Sequence, residues 1–152
     1  MHHGCILRRL LSAGGGAFTP DLYRCVISIN GVSDLPRMLS DTELRYGRTH
    51  WVNSYWQDVI GDSKKEKNKL KEISPAYAAE QFKAPLLLVH GRDDTVVPFQ
   101  QSKIMYRAMK KAGKDVELVD LDGEDHWLST SEARLHVLEE IDKFLMVQNP
   151  PN

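Results

Sequence analysis

The sequence predicts an α/β fold: parallel strands joined by crossover helices. Three observations carry this. Pro85–His90 is an apolar run without alternation, the pattern of a strand covered on both faces. Strand-like and helix-like segments then alternate with short links, which makes the crossovers right-handed and the sheet parallel. Finally, no internal repeat and no linker divides the 152 residues.

Taken in order, Tyr23–Gly31 (YRCVISING) is β-branched and closes on Asn-Gly, so it is expected to be a buried strand. Residues 34–60 predict two surface helices, the second with Trp51, Tyr55 and Val59 on one side at i, i+4, i+8. Asp62–Glu72 (DSKKEKNKLKE) is a solvated charge run, a loop or an exposed helix. Ser74 is expected to cap a helix that has Pro75 at its first position. After the strand at Pro85–His90, Pro98–Gly113 reads as a helix ending in basic residues and a glycine. Asp115–Gly123 (DVELVDLDG) is a third strand. Ser129–Gln148 is the closing helix, with Leu135, Leu138, Ile141 and Leu145 expected on its core stripe. Residues 148–152 form a tail.

Composition is that of a soluble globular protein, with 41% apolar and 27% charged residues. Lys and Arg total 20 against 21 Asp and Glu, so the balance supplies no general field for nucleic acid or an anionic membrane. The run KKEKNKLK has no interleaved aromatics to stack bases. No apolar run reaches membrane-spanning length, and the opening residues are too brief and broken for a targeting signal. Cys5 and Cys25 have no metal-type spacing and make no disulfide framework, which predicts a reducing, cytoplasmic setting. His2 and His3 lack a third ligand, so no metal is expected. His50, His90 and His136 carry no partner signal and are expected to be structural or exposed.

The chemistry lies at two strand ends. In an open parallel sheet, functional groups gather beyond the carboxyl ends of the strands. VHGRDD sets Asp93 and Asp94 past one such end, and LDGEDHW sets His126 past the next. Singly, an Asp pair there is a turn and helix-cap signal, and a lone His is more often structural. Jointly, strand–Asp–helix–strand–His–helix is the order in which an α/β-hydrolase delivers the last two members of a Ser, Asp, His triad. The Asp orients the imidazole and stabilises its cation, while the His takes the proton of the nucleophile.

The stretches SPAYAAEQFKAPLLLVHGRDDTVVPFQQS and GEDHWLS resemble the C-terminal catalytic domain of the prolyl oligopeptidase family of serine peptidases, closest to its acylaminoacyl-peptidase-like branch. The likeness runs from about Ala17 to Val147. It implies the C-terminal portion of an α/β-hydrolase fold with the N-terminal strands missing. It also implies peptide-bond hydrolysis, a peptide substrate and no cofactor. Members usually carry a β-propeller ahead of this domain. By that resemblance Asp93 matches the triad acid, His126 the base, and Asp94 a structural neighbour.

The chain departs from the family at the nucleophile. No Gly-x-Ser-x-Gly occurs, Ser12 lies in LSAG outside any elbow pattern, and Cys5 lacks the glycines that open a helix. Written with permitted codons and read one base later, Met1–Ala13 becomes CIMGASYGGYSAL, which restores a strand end, an elbow and a helix start. Residues 1–16 are therefore expected to be a frame-shifted remnant of the elbow region, and 17–147 a partial catalytic domain. Without the elbow Ser, the chain as written is expected to be inactive or very weak. Two other functions stay open: a non-catalytic remnant that binds peptides or pairs through an exposed sheet edge, and a carboxylesterase. The absent strands predict that the first strand has an unpaired edge.

Overall fold

The computed structural model describes residues 6–8 and 12–150. The readings placed on His2, His3 and Cys5 lie outside the described residues. Among the described residues, one sheet of four parallel strands runs in the order β1-β2-β3-β4, formed by Ile6–Arg8, Val26–Ile29, Leu86–Gly91 and Val116–Leu121. The three strands expected from sequence are β2, β3 and β4. The expected unpaired edge of β2 is corrected: Ile6–Arg8 extends alongside it, in register from Ile6 opposite Val26 to Arg8 opposite Ser28. Among the described residues, no strand pairs with the outer edge of β1.

Alternation along β2 and β3 sorts their side chains onto two faces. Val26, Leu86 and Leu88 pack with Ala17 of α1 (Ser12–Phe18), Phe82, and Met105 and Met109 of α5 (Gln100–Lys111). Ile27, Leu87 and Val89 pack with Val137, Ile141 and Phe144 of α6 (Ser131–Gln148). All six residues of β3 are buried, as an apolar run without alternation requires.

Between β2 and β3 the chain forms α2 (Leu35–Tyr46), α3 (Trp51–Ile60), α4 (Lys67–Glu72) and a 3-10 stretch, Pro75–Gln81. Asp34 caps α2 by accepting the Arg37 N–H at 2.9 Å. The ring of His50 caps α3 by accepting the Val52 N–H at 3.3 Å. The charge run pairs locally, Lys69 with Glu66 at 2.9 Å, while Leu70 of α4 is fully buried. Ser74 holds the cap position but makes no cap bond. Its hydroxyl donates to the Leu70 carbonyl and accepts from the Leu35 N–H, tying α4 to the start of α2.

Half of the stripe expected on the closing helix holds, with Ile141 buried and Leu145 packed against the same cluster, and half is corrected. Ala133, Val137, Ile141 and Phe144 face the sheet, whereas Leu135 and Leu138 are exposed. The rotational phase of α6 is set at its start, where the Thr130 hydroxyl accepts the Ala133 N–H and itself bonds Glu124. From Ala133 the buried positions recur three or four residues apart, at Val137, Ile141 and Phe144.

Candidate active site

Beyond the carboxyl ends of β3 and β4, two loops are stitched together through the backbone. Arg92 N–H donates to Leu121 O at 2.9 Å and Asp93 N–H to Glu124 O at 3.0 Å. The 124–125 turn passes so close over Gly91 that a Cβ there would lie 2.8 Å from Asp125 O. Only glycine admits that approach. Asn30, at the tip of β2, supplies the third stitch. It is buried in the left-handed region at φ 48°, a conformation Asn tolerates better than most residues. Its Oδ1 accepts the Gly91 N–H at 3.0 Å, and its Nδ2 donates to His126 O at 2.8 Å.

These stitches bring His126 onto Asp94. His126 Nδ1 lies 2.7 Å from Asp94 Oδ2. The Asp94 side chain is fully buried and that of His126 is 12% exposed. The Oδ1 of Asp94 accepts the N–H groups of Val96 and Val97 at 2.8 and 2.7 Å. Burial alone would raise the Asp94 carboxyl above its ordinary value. Hydrogen bonds from His90, His126 and the Val97 N–H outweigh burial and hold it below.

The sequence-based pairing of Asp93 with His126 is therefore corrected. Asp94 N–H returns to Gly91 O at 3.3 Å, closing a turn across Gly91–Asp94. That turn sends Asp93 into solvent and folds Asp94 back beneath His126. The neighbouring Arg92 faces outward to Asp120 and Asp122.

Two further residues at the site were not singled out as functional. His90 carries no sequence signal beyond ending a strand, yet its ring is fully buried 3.4 Å from Asp94 Oδ2. Strand parity with Leu86 and Leu88 points it toward α5, where it meets Ser102. Asn30 could have been flagged by Asn-Gly directly after a strand, a positive-φ signal. His136 is exposed. Among the described residues, no group of three or more His, Cys, Asp or Glu side chains could hold a metal ion. No described helix is long and apolar enough to cross a membrane.

Beside the Asp94 turn opens a cleft of about 460 Å³. Tyr46, Trp51, Tyr55, Trp56, Val96 and Pro98 make most of its wall. The Trp51, Tyr55 and Val59 side of α3 thus faces this cleft and solvent rather than the core. At the N-terminal end of the described chain, β1 precedes α1. Of Ser12 only the backbone is described, at the first turn of α1, and Cys5 lies outside the described residues.

The prolyl oligopeptidase family model matches residues 12–148. The chain belongs to the prolyl oligopeptidase family. It is 30% identical over 138 residues to a probable chloroplastic glutamyl endopeptidase of Arabidopsis thaliana, covering 90% of this chain and 13% of that protein. It is 30% identical over 119 residues to the human acylamino-acid-releasing enzyme, covering 75% of this chain and 16% of that one. Among solved structures, the acylaminoacyl peptidase of Pyrococcus horikoshii superposes with a TM-score of 0.79 at 24% identity, over 95% of this chain and 23% of that one. The family is one of serine peptidases, and the four strands with their crossover helices match part of its α/β-hydrolase domain. The chain spans well under a quarter of the length of the curated relatives it matches.

Proposed function

We propose that this domain carries the acid–base half of a serine-type peptidase: His126 as general base and Asp94 as the carboxylate that orients it. The observation that supports this best is the 2.7 Å contact between His126 Nδ1 and a fully buried Asp94. With Nδ1 bonded to a carboxylate, Nε2 is the nitrogen left to take a proton from an attacking hydroxyl and return it to the leaving amine. Buried Asp94 stabilises the imidazolium formed in between. The apolar cleft beside the same turn suits an apolar or aromatic side chain of a peptide.

Residues 1–16 belong to this proposal as a frame-shifted elbow, which leaves the chain as written inactive or nearly so. Sequencing the encoding DNA tests that part: the codons for Met1–Ala13 must give CIMGASYGGYSAL when read one base later. The couple is tested with a fluorophosphonate probe, which labels only an activated serine. The chain as written is expected to stay unlabelled. A version carrying CIMGASYGGYSAL in place of Met1–Ala13 is expected to be labelled, with labelling lost on His126→Ala and retained on Asp93→Asn. Labelling that survives His126→Ala would defeat the assignment.

A further inference from the structure

Behind the proposed couple stands a second imidazole. His90 is completely buried, and both of its ring nitrogens are engaged. Nε2 lies 2.9 Å from the Val97 carbonyl, which can only accept, so Nε2 carries the hydrogen. Nδ1 is then the lone-pair side, and the Ser102 hydroxyl 2.7 Å away donates into it. The same Nε2–H lies 3.4 Å from Asp94 Oδ2, the oxygen that faces His126. Asp94 is thus flanked by imidazoles from two strand ends, and its other oxygen is held by two backbone N–H groups.

We propose that His90, held in its Nε2–H tautomer by Ser102, is a positioning residue that fixes Asp94 and tunes its pull on His126. This deepens the acid–base reading above and rests on it. The reason for a neutral imidazole is electrostatic. A cation at this point would neutralise Asp94 and weaken its hold on the His126 cation. An apolar side chain would remove the N–H dipole 3.4 Å from Oδ2 and leave that oxygen held from the His126 side alone. A neutral N–H dipole orients the oxygen and favours its ionised form without cancelling its charge. Ser102 completes the device, because a hydroxyl donating into Nδ1 leaves Nε2 as the nitrogen that carries the hydrogen. The groups facing Asp94 are His90 from β3, His126 from the β4–α6 loop, and the backbone of Val96 and Val97.

The test uses the full chain as written and needs no turnover. Two substitutions separate donation from packing: His90→Phe fills the space without a donor, and His90→Gln keeps an amide N–H near the Nε2 position with less bulk. Two readouts are followed by NMR, the low-field His126 Nδ1–H resonance and the titration midpoint of the Asp94 carboxyl. Far-UV circular dichroism confirms that each variant is folded. His90→Phe is expected to broaden or abolish the Nδ1–H signal and move the Asp94 midpoint toward higher pH by about one pH unit. His90→Gln is expected to keep both near the parent values, and Ser102→Ala to move them in the Phe direction by less. If Phe leaves both unchanged, or Gln disturbs them as much as Phe does, His90 is packing alone and the proposal is overturned. If the parent chain itself shows no low-field His126 Nδ1–H, the acid–base reading fails with it, so the two failures are told apart.

Discussion

At the β3–β4 end of the sheet, strands of six residues lie in a dense mesh of long-range polar contacts. At the β1–α1 end, a three-residue strand leads into a seven-residue helix with three consecutive glycines. Asn30, Gly91, His90 and Asp94 at the first end each meet groups 12 or more residues away in sequence, in contacts that are buried or part-buried. Local preference opposes the second end: each interior helical glycine costs about 1 kcal/mol relative to alanine, and seven residues are too few for an isolated helix. Helix α1 is held by the burial of Ala13 and Ala17 and by Gly16, which lets it lie close to Phe82 and Val26. The difference teaches that the proposed acid–base couple, His126 with Asp94, lies in the half of the domain held by long-range contacts. Its geometry follows from the fold of residues 26–144 and does not wait for a nucleophile.

Native-state hydrogen exchange probes that contrast with the widest range. Amides of β3 are expected to exchange only through global opening, and those of α1 through local opening at least roughly a hundredfold faster. Equal protection at the two ends would erase the distinction.

The carboxylates at the β3 tip come next. Asp94→Ala removes the acceptor of two backbone N–H groups and two imidazoles, and is expected to cost about 3 kcal/mol in urea unfolding. Asp93→Asn, in solvent, is expected to stay within about 0.5 kcal/mol. The same pair gives a pH signature. The Asp94 carboxyl titrates below its ordinary value of 3.8 when folded, because hydrogen bonds from His90, His126 and the Val97 N–H outweigh its burial. The stability this supplies is complete above the unfolded value and disappears as pH falls through the lower folded one. The part of the gap between parent and Asp94→Ala that comes from the ionised carboxyl should therefore shrink in acid. A gap that widens below pH 4 would contradict the assigned direction.

On the α6 face the contrast lies between neighbours on one helix. Ile141→Ala opens a hole against the β2–β3 layer and is expected to cost about 2 kcal/mol or more, whereas Leu138→Ala is expected to change stability by less than about 0.5 kcal/mol. Thermal or urea unfolding decides. Comparable losses would mean that α6 is rotated from the phase described above.

How far the sequence revealed this arrangement depends on the kind of signal. Strands β2, β3 and β4 and the long helices were legible because their apolar runs and end residues are local. The meeting of the VHGRDD and EDHW loops was legible from strand order. Which aspartate turns inward was not, since Asp93 and Asp94 are identical in chemistry and differ only in their place in a turn closed by Gly91 O. His90 was missed because its partners, Ser102 and Val97, are recruited by strand parity and helix packing. Half of the α6 stripe was misread because Leu135 and Leu138 are apolar yet exposed, while the true inward residue at the first turn is Ala133. β1 was absent from the expectations because three residues carry no periodicity.

The smallest effects lie in the glycines of α1, where local and tertiary terms separate within a single turn. An added Cβ at Gly14 meets only Phe18, at an ordinary 3.9 Å. Gly14→Ala should therefore recover helix propensity and stabilise the chain by about 0.5–1 kcal/mol. Gly16 is different: a Cβ there would run into the buried ring of Phe82 and come within 3.0 Å of Val26 Cγ2. The same propensity gain is then offset by overpacking, and Gly16→Ala is expected to destabilise by about 1 kcal/mol net. Opposite signs at two positions half a turn apart, read from urea midpoints, are the mark of a helix held by close approach to the sheet. If both substitutions stabilise, α1 does not pack against Phe82 as described, and the weakness of this end has another origin.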